Sequence, residues 1–178
     1  MPLSRLLRRS EAGETVVQRL YDAIVAQARL PEFYRRCAVP DTLDGRFDMI
    51  ALHLFLVMRR LKSEGGAGRT LSQAVCERFF DDLDRSLREM GAGDLGVGRR
   101  VKVMAQAFYG RVAAYDVALN GDDVALAEAL MRNLYGTVKP GGEAVTAMAS
   151  YVRCASEALA AQGFAAVGAG KIEFGAPP

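Results

Sequence analysis

Few residues in this chain are of a type and spacing that could do chemistry. His53 is the single histidine, and Cys37, Cys76 and Cys154 are the only cysteines. One imidazole cannot build a multi-histidine metal site, and the cysteines lie too far apart for a zinc knuckle or a CxxC redox pair. As a general base His53 would need an acid or nucleophile beside it, and Asp48, five residues earlier, is poorly placed for a shared helix face. His53 therefore reads as a satisfied core or interface histidine. Asp41, Asp44 and Asp48, with Arg46 among them, resemble an acid–base pair, but carboxylates at a helix start are explained by capping and the helix dipole. Asp81, Asp82 and Asp84 could hold a hard cation only with a turn glycine and six or more oxygens, so they read as a solvated acidic face. Gly91-Ala-Gly93-Asp94-Leu95-Gly96 is a literal GxGxxG, yet no strand precedes it, and it reads as a turn between helices. No CxxCH for haem attachment is present. No enzymatic activity, metal or cofactor is expected.

The elements that carry these residues are helical throughout. Val17, Leu20, Tyr21, Ile24, Val25 and Ala28 form one apolar stripe at three- and four-residue steps. Pro31 and Pro40 bracket a short piece with Phe33 and Tyr34. A central helix over about 46–62 is apolar around nearly its whole circumference from Ile50 to Met58. Ser63–Arg69 reads as a flexible loop, followed by a helix opened by a Thr70–Gln73 capping box with Leu71, Val75, Phe79, Leu83, Leu87 and Met90 inward. The next helix starts near Val97, with Val101, Met104, Phe108, Val112, Tyr115 and Leu119 as its stripe. Asp122 caps another with Val124, Ala127, Leu130, Met131 and Leu134 inward, and an Ala-rich helix runs from Glu143 to Gln162. The expectation is an all-α, single-domain bundle of about six to seven helices. Residues 1–13 are expected as a flexible basic arm, 14–162 as the helical domain and 163–178 as a loose tail.

The chain of 178 residues, 51% hydrophobic and 25% charged, is globular and large enough for one core. Its net charge of +2 excludes a nucleic-acid wrapper, so no DNA partner is expected. The total is a cancellation. Arg5, Arg8 and Arg9 make the start basic, Glu77–Asp94 sums to −3, and Arg99–Arg111 holds four bases and no acid. Helices of opposite sign can attract each other, or hold a positive ridge ready for an acidic partner. The basic start lacks the apolar run of a secretory signal, though three cations with Leu3, Leu6 and Leu7 could touch an anionic membrane surface. Met49–Met58, the most apolar stretch, is ten residues long, short of a membrane span.

Phe79-Phe80-Asp-Asp-Leu-Asp-Arg-Ser-Leu-Arg-Glu-Met-Gly-Ala-Gly-Asp94, followed by Gly98-Arg-Arg-Val-Lys102 and Phe108-Tyr-Gly-Arg111, resembles the ubiquinol–cytochrome c chaperone family. Leu20-Tyr21, Pro31 with Phe33-Tyr34, and Asp44-Gly-Arg-Phe-Asp48 leading into Leu52-His53-Leu54 are similar to its first half. The resemblance covers about residues 14–140, and the composition looks bacterial. It implies a non-enzymatic chaperone that binds newly made cytochrome b and assists assembly of the cytochrome bc1 complex, with the ribosome as a further partner. The place implied is the cytoplasm, including the cytoplasmic face of the inner membrane.

A chaperone of an apolar client needs an exposed patch with a polar rim. That patch is expected where the acidic and basic helices meet, with Asp81, Asp84, Arg88, Lys102, Phe108, Tyr109 and Arg111, since aromatic and arginine side chains anchor such contacts. By periodicity alone Phe108 could equally be core, and Gly110 a site of close helix packing. A small-ligand or lipid-binding helical module, with the His53 helix as a pocket wall, is the alternative.

Overall fold

The computed structural model describes residues 3–89, 91 and 94–178, with side chains from residue 15 onward except those of residues 94 and 95. The elements are α1 (Leu3–Ala28), α2 (Pro31–Arg35), α3 (Leu43–Lys62), α4 (Gly65–Glu89), α5 (Asp94–Leu119), α6 (Asp123–Asn133), α7 (Gly142–Ala161) and a four-residue α8 (Phe164–Val167), with no strand among the described residues. The protein is all-α. Helix α3 packs on α1, α4, α5 and α7, while α6 bridges α5 and α7, so α3 is the hub. Its residues 51–57 are all buried, His53 included. Each fully buried leucine there contributes roughly 2 kcal/mol.

Local chemistry sets the helix ends. Thr42 caps α3, its hydroxyl accepting from the Gly45 N–H at 3.1 Å, and Asp122 caps α6 through the Ala125 N–H at 2.8 Å. The expected loop over Ser63–Arg69 is instead a tight corner, because α4 already begins at Gly65. Gly65 turns at φ +64°, and a Cβ on Gly68 would lie 2.1 Å from the Leu61 carbonyl oxygen, so only glycine lets α4 start so close to α3. Thr70 consequently lies inside α4 and caps nothing: its hydroxyl donates back to the Gly66 carbonyl, and Gln73 bonds Glu77.

Two further expectations are corrected. Residues 163–178 pack back onto the bundle: Gln162 exchanges two hydrogen bonds with the Glu173 backbone, and Phe174 is buried against His53 at 5.1 Å between ring centroids. Small residues dominate this stretch, but its two phenylalanines, Phe164 and Phe174, both pack against the core. Val124 and Met131, expected inward, are 65% and 37% exposed, because α6 has neighbours on two sides only and buries the narrower face of Leu126, Ala129 and Leu130. In the expected arm the backbone from Leu3 onward forms the first turns of α1, and its side chains lie outside the described residues.

Candidate functional site

The two buried polar side chains of α3 come first, because their position decides whether they can act on anything. His53 is fully buried. Its Nδ1–H donates to the Met49 carbonyl at 2.8 Å, which leaves Nε2 to accept from the Tyr151 hydroxyl at 2.7 Å. Tyr151 in turn accepts from the Gln27 amide at 3.0 Å, and Phe33 and Phe174 cover the ring. Burial pulls the His53 pKa down to about 4, only partly offset by its bond to Met49, so the ring is neutral and every polar atom is satisfied. It is a core histidine and not a pocket wall.

Asp48 does not cap a helix, as its place near the start of α3 suggests. It is buried, and Arg111 of α5 approaches its Oδ1 to 2.9 Å. Burial pushes the Asp48 pKa up to about 7, outweighing the attraction of Arg111, and the charge on Asp44 adds to the rise. Arg111 also donates to the Asn133 carbonyl at 3.3 Å and lies over the Phe47 ring, which locks α3, α5 and the end of α6 together. Arg111, expected to face a partner, is thus a half-buried bolt of the fold.

The other residues of the expected patch divide. Phe108 is fully buried, in edge or tilted contact with Phe79 and Phe80 at 5.4 and 5.6 Å. Asp84 pairs with Arg88 one turn along α4. Asp81 is exposed on the side of α4 turned toward α1, and Lys102 is exposed on α5. Arg78 pairs with Asp82 within α4, while Asp116 of α5 pairs with Arg59 and Lys62 of α3. Among the described contacts, rings join the acidic helix to the basic one. Only Tyr109 stands at the surface of that aromatic seam, 55% exposed, 6.4 Å from Phe80 and 3.7 Å by its hydroxyl from the Cys76 thiol.

Beside Tyr109 an open groove of about 550 Å³ runs between α3, α4 and α5. Phe55, Met58, Phe80 and Val112 line it, and it is bordered by Arg69 and Glu77 of α4 and by Arg59 and Lys62 of α3, which pair with Asp116 of α5. Sequence reasoning found Tyr109 but missed the rest of the groove. Phe55 and Met58 lie in the apolar run of α3, and periodicity does not reveal which side of that run α4 and α5 leave uncovered. Among the described residues no cluster of three His, Cys, Asp or Glu side chains could hold a metal ion, and no helix is long and apolar enough to cross a membrane.

The architecture is that of an all-α bundle with a packed core and an open aromatic groove on its surface. The sequence places it more closely. The family model for ubiquinol–cytochrome c chaperones matches residues 35–174, and the chain belongs to that family, one of chaperones and not of enzymes. It is 29% identical over 135 residues to the ubiquinol–cytochrome c reductase complex assembly factor 1 of Xenopus laevis, covering 76% of this chain and 68% of that protein. The mouse relative of the same name is 27% identical over 135 residues, 76% of this chain but only 46% of the relative, so the chain spans about half the mouse protein's length. The crystal structure of the Cbp3 homolog from Brucella abortus has the same fold, with a TM-score of 0.88, 42% identity and coverage of 99% of this chain and 97% of that one.

Proposed function

We propose that this protein is an assembly chaperone of the ubiquinol–cytochrome c reductase (cytochrome bc1) complex that holds newly made cytochrome b in the groove between α3, α4 and α5. Family membership, and relatives that are assembly factors of that complex, support the first half of the reading. The groove carries the second half. Its aromatic and methionine lining suits an apolar segment, Met58 adapts to irregular shapes, and the charged side chains that border it suit the polar loop that follows such a segment. The proposed workplace is the cytoplasmic face of a bacterial inner membrane, close to the ribosome, where a new membrane protein first needs holding. The cations Arg5, Arg8 and Arg9 would give contact with anionic lipid there. The alternative of a small-ligand or lipid-binding module with the His53 helix as a pocket wall draws on the same groove, since Phe55 and Met58 of α3 line it, but the groove is open and not an enclosed cavity, and His53 itself lies apart from it under Phe33, Tyr151 and Phe174.

The test is affinity capture of cytochrome b from cells by the parent chain and by a Tyr109→Ala, Arg69→Glu double variant. Both residues are exposed, so the variant should keep the parent's melting temperature. Loss of two anchors should weaken capture at least about tenfold. Equal capture by a well-folded double variant removes the groove from the reading, and no cytochrome b captured by the parent chain removes the function.

A further inference from the structure

The outer face of α5 has no partner among the described residues. Val103, Gln106, Gly110, Ala113 and Val117 all lie within about 40° of one line along the helix, given 100° per residue. All five are exposed, the two valines by 58% and 76%, and no charged side chain interrupts the line between them. In a chain whose residues are one quarter charged, this is where solvated charge would be expected. Gly110 at its centre is the more telling feature. A Cβ added there would meet nothing within 4 Å, so nothing among the described residues needs a glycine that weakens the helix at this point. The earlier alternative, that Gly110 permits close packing inside the bundle, is therefore wrong. What remains is close packing against something outside it.

The ends of the face identify that occupant. Arg99 and Lys102 flank its N-terminal end, and Asp122 and Asp123 follow its C-terminal end. The residues are also symmetric about Gly110: a second α5 laid antiparallel across it sets Val103 on Val117 of the other copy and Gln106 beside its Ala113 and Ala114. It also brings Arg99 toward the turn at Asp122, the cap of α6, and Asp123, which is 86% exposed and pairs within its own chain with Arg153. The positive end of each helix dipole then lies at the negative end of the other. A two-fold interface must be self-complementary in this way, whereas an unrelated partner would not require the mirror order of charges. We infer that the outer face of α5 is a self-association surface, on which two copies of this chain pair antiparallel with Gly110 at the crossing. The contact is one helix against one helix, at the small end of stable interfaces, so the dimer is reversible and concentration-dependent. The groove beside Tyr109 opens on the neighbouring side of α5, toward α3 and α4, and the two surfaces are separate proposals.

Sedimentation equilibrium of the full chain tests this from low to high micromolar concentration. The mass should rise from 19.2 kDa toward twice that value, less steeply as salt is raised. Gly110→Arg has open space for its side chain and should stay folded, with a melting temperature no lower than the parent's, yet associate at least about tenfold more weakly. Gly110→Cys, made with Cys154→Ser, should form a disulfide-linked dimer under oxidised glutathione, while Arg85→Cys in the same background should not. A monomer at every concentration, or a dimer indifferent to Gly110→Arg, overturns the inference. If the chain is monomeric and Gly110→Arg instead abolishes cytochrome b capture, the face belongs to the client and self-association is refuted.

Discussion

Asp48 and His53 stand five residues apart on α3, and the protein handles them in opposite ways. His53 is enclosed from four directions, by Phe33, Tyr151, Phe174 and its own helix, and both ring nitrogens have partners, so it stays neutral at no electrostatic cost. Asp48 has a cation beside it, yet Oδ1 finds no hydrogen bond of good geometry despite the 2.9 Å approach of Arg111, and the neighbouring Tyr115 hydroxyl is buried without a partner. One region is finished and the other is under tension. Buried charge needs both a counter-charge and hydrogen bonds, and the second half of that rule is unmet near Asp48.

The harshest way to break the contrast is Arg111→Met. It leaves Asp48 without its cation and should cost about 3–5 kcal/mol at pH 8, read by urea denaturation. A double variant adding Asp48→Asn should recover most of that loss. Titration separates the two regions next. His53 protonates near pH 6.5 when unfolded but only near 4 when folded, so its contribution of about 3 kcal/mol is complete above pH 6.5 and lost as pH falls toward 4. Asp48 has the opposite sign. Its folded pKa of about 7 lies above the unfolded value, so a cost of about 4 kcal/mol develops as pH rises from 4 to 7. The parent chain should therefore show a nearly flat stability profile over this range. Asp48→Asn should become steadily less stable on acidification, and a parent profile as steep as that of Asp48→Asn would contradict the cancellation. Phe174→Ala comes third: it should cost about 3 kcal/mol and move the His53 titration, followed by NMR, upward toward 6.5 by admitting water. Tyr151→Phe is mildest, at about 1–2 kcal/mol, because it removes one hydrogen bond and preserves the ring packing.

The helices were legible because their apolar stripes repeat at three and four residues; Leu20, Ile24 and Ala28 are all buried as the stripe predicts. The α3–α4 corner was not, because Gly65 and Gly68 look the same in a mobile loop as in a turn that needs room for the Leu61 carbonyl. The site was half legible. An aromatic such as Tyr109 beside an arginine marks a contact of some kind, but whether Arg111 faces solvent or Asp48 depends on how α5 lies across α3. No local pattern encodes that crossing.

The contact between Phe174 and His53 also imposes an order of events on synthesis. The two residues are separated by 121 positions, so at ribosomal speeds roughly ten seconds pass between their appearances. For most of that interval the imidazole on α3 has neither Tyr151 nor Phe174 to cover it, and for the rest it still lacks Phe174. The ring becomes a neutral core group only when the segment that carries Phe174 folds back, so arrival of that segment is itself the step that shuts water out of the hub.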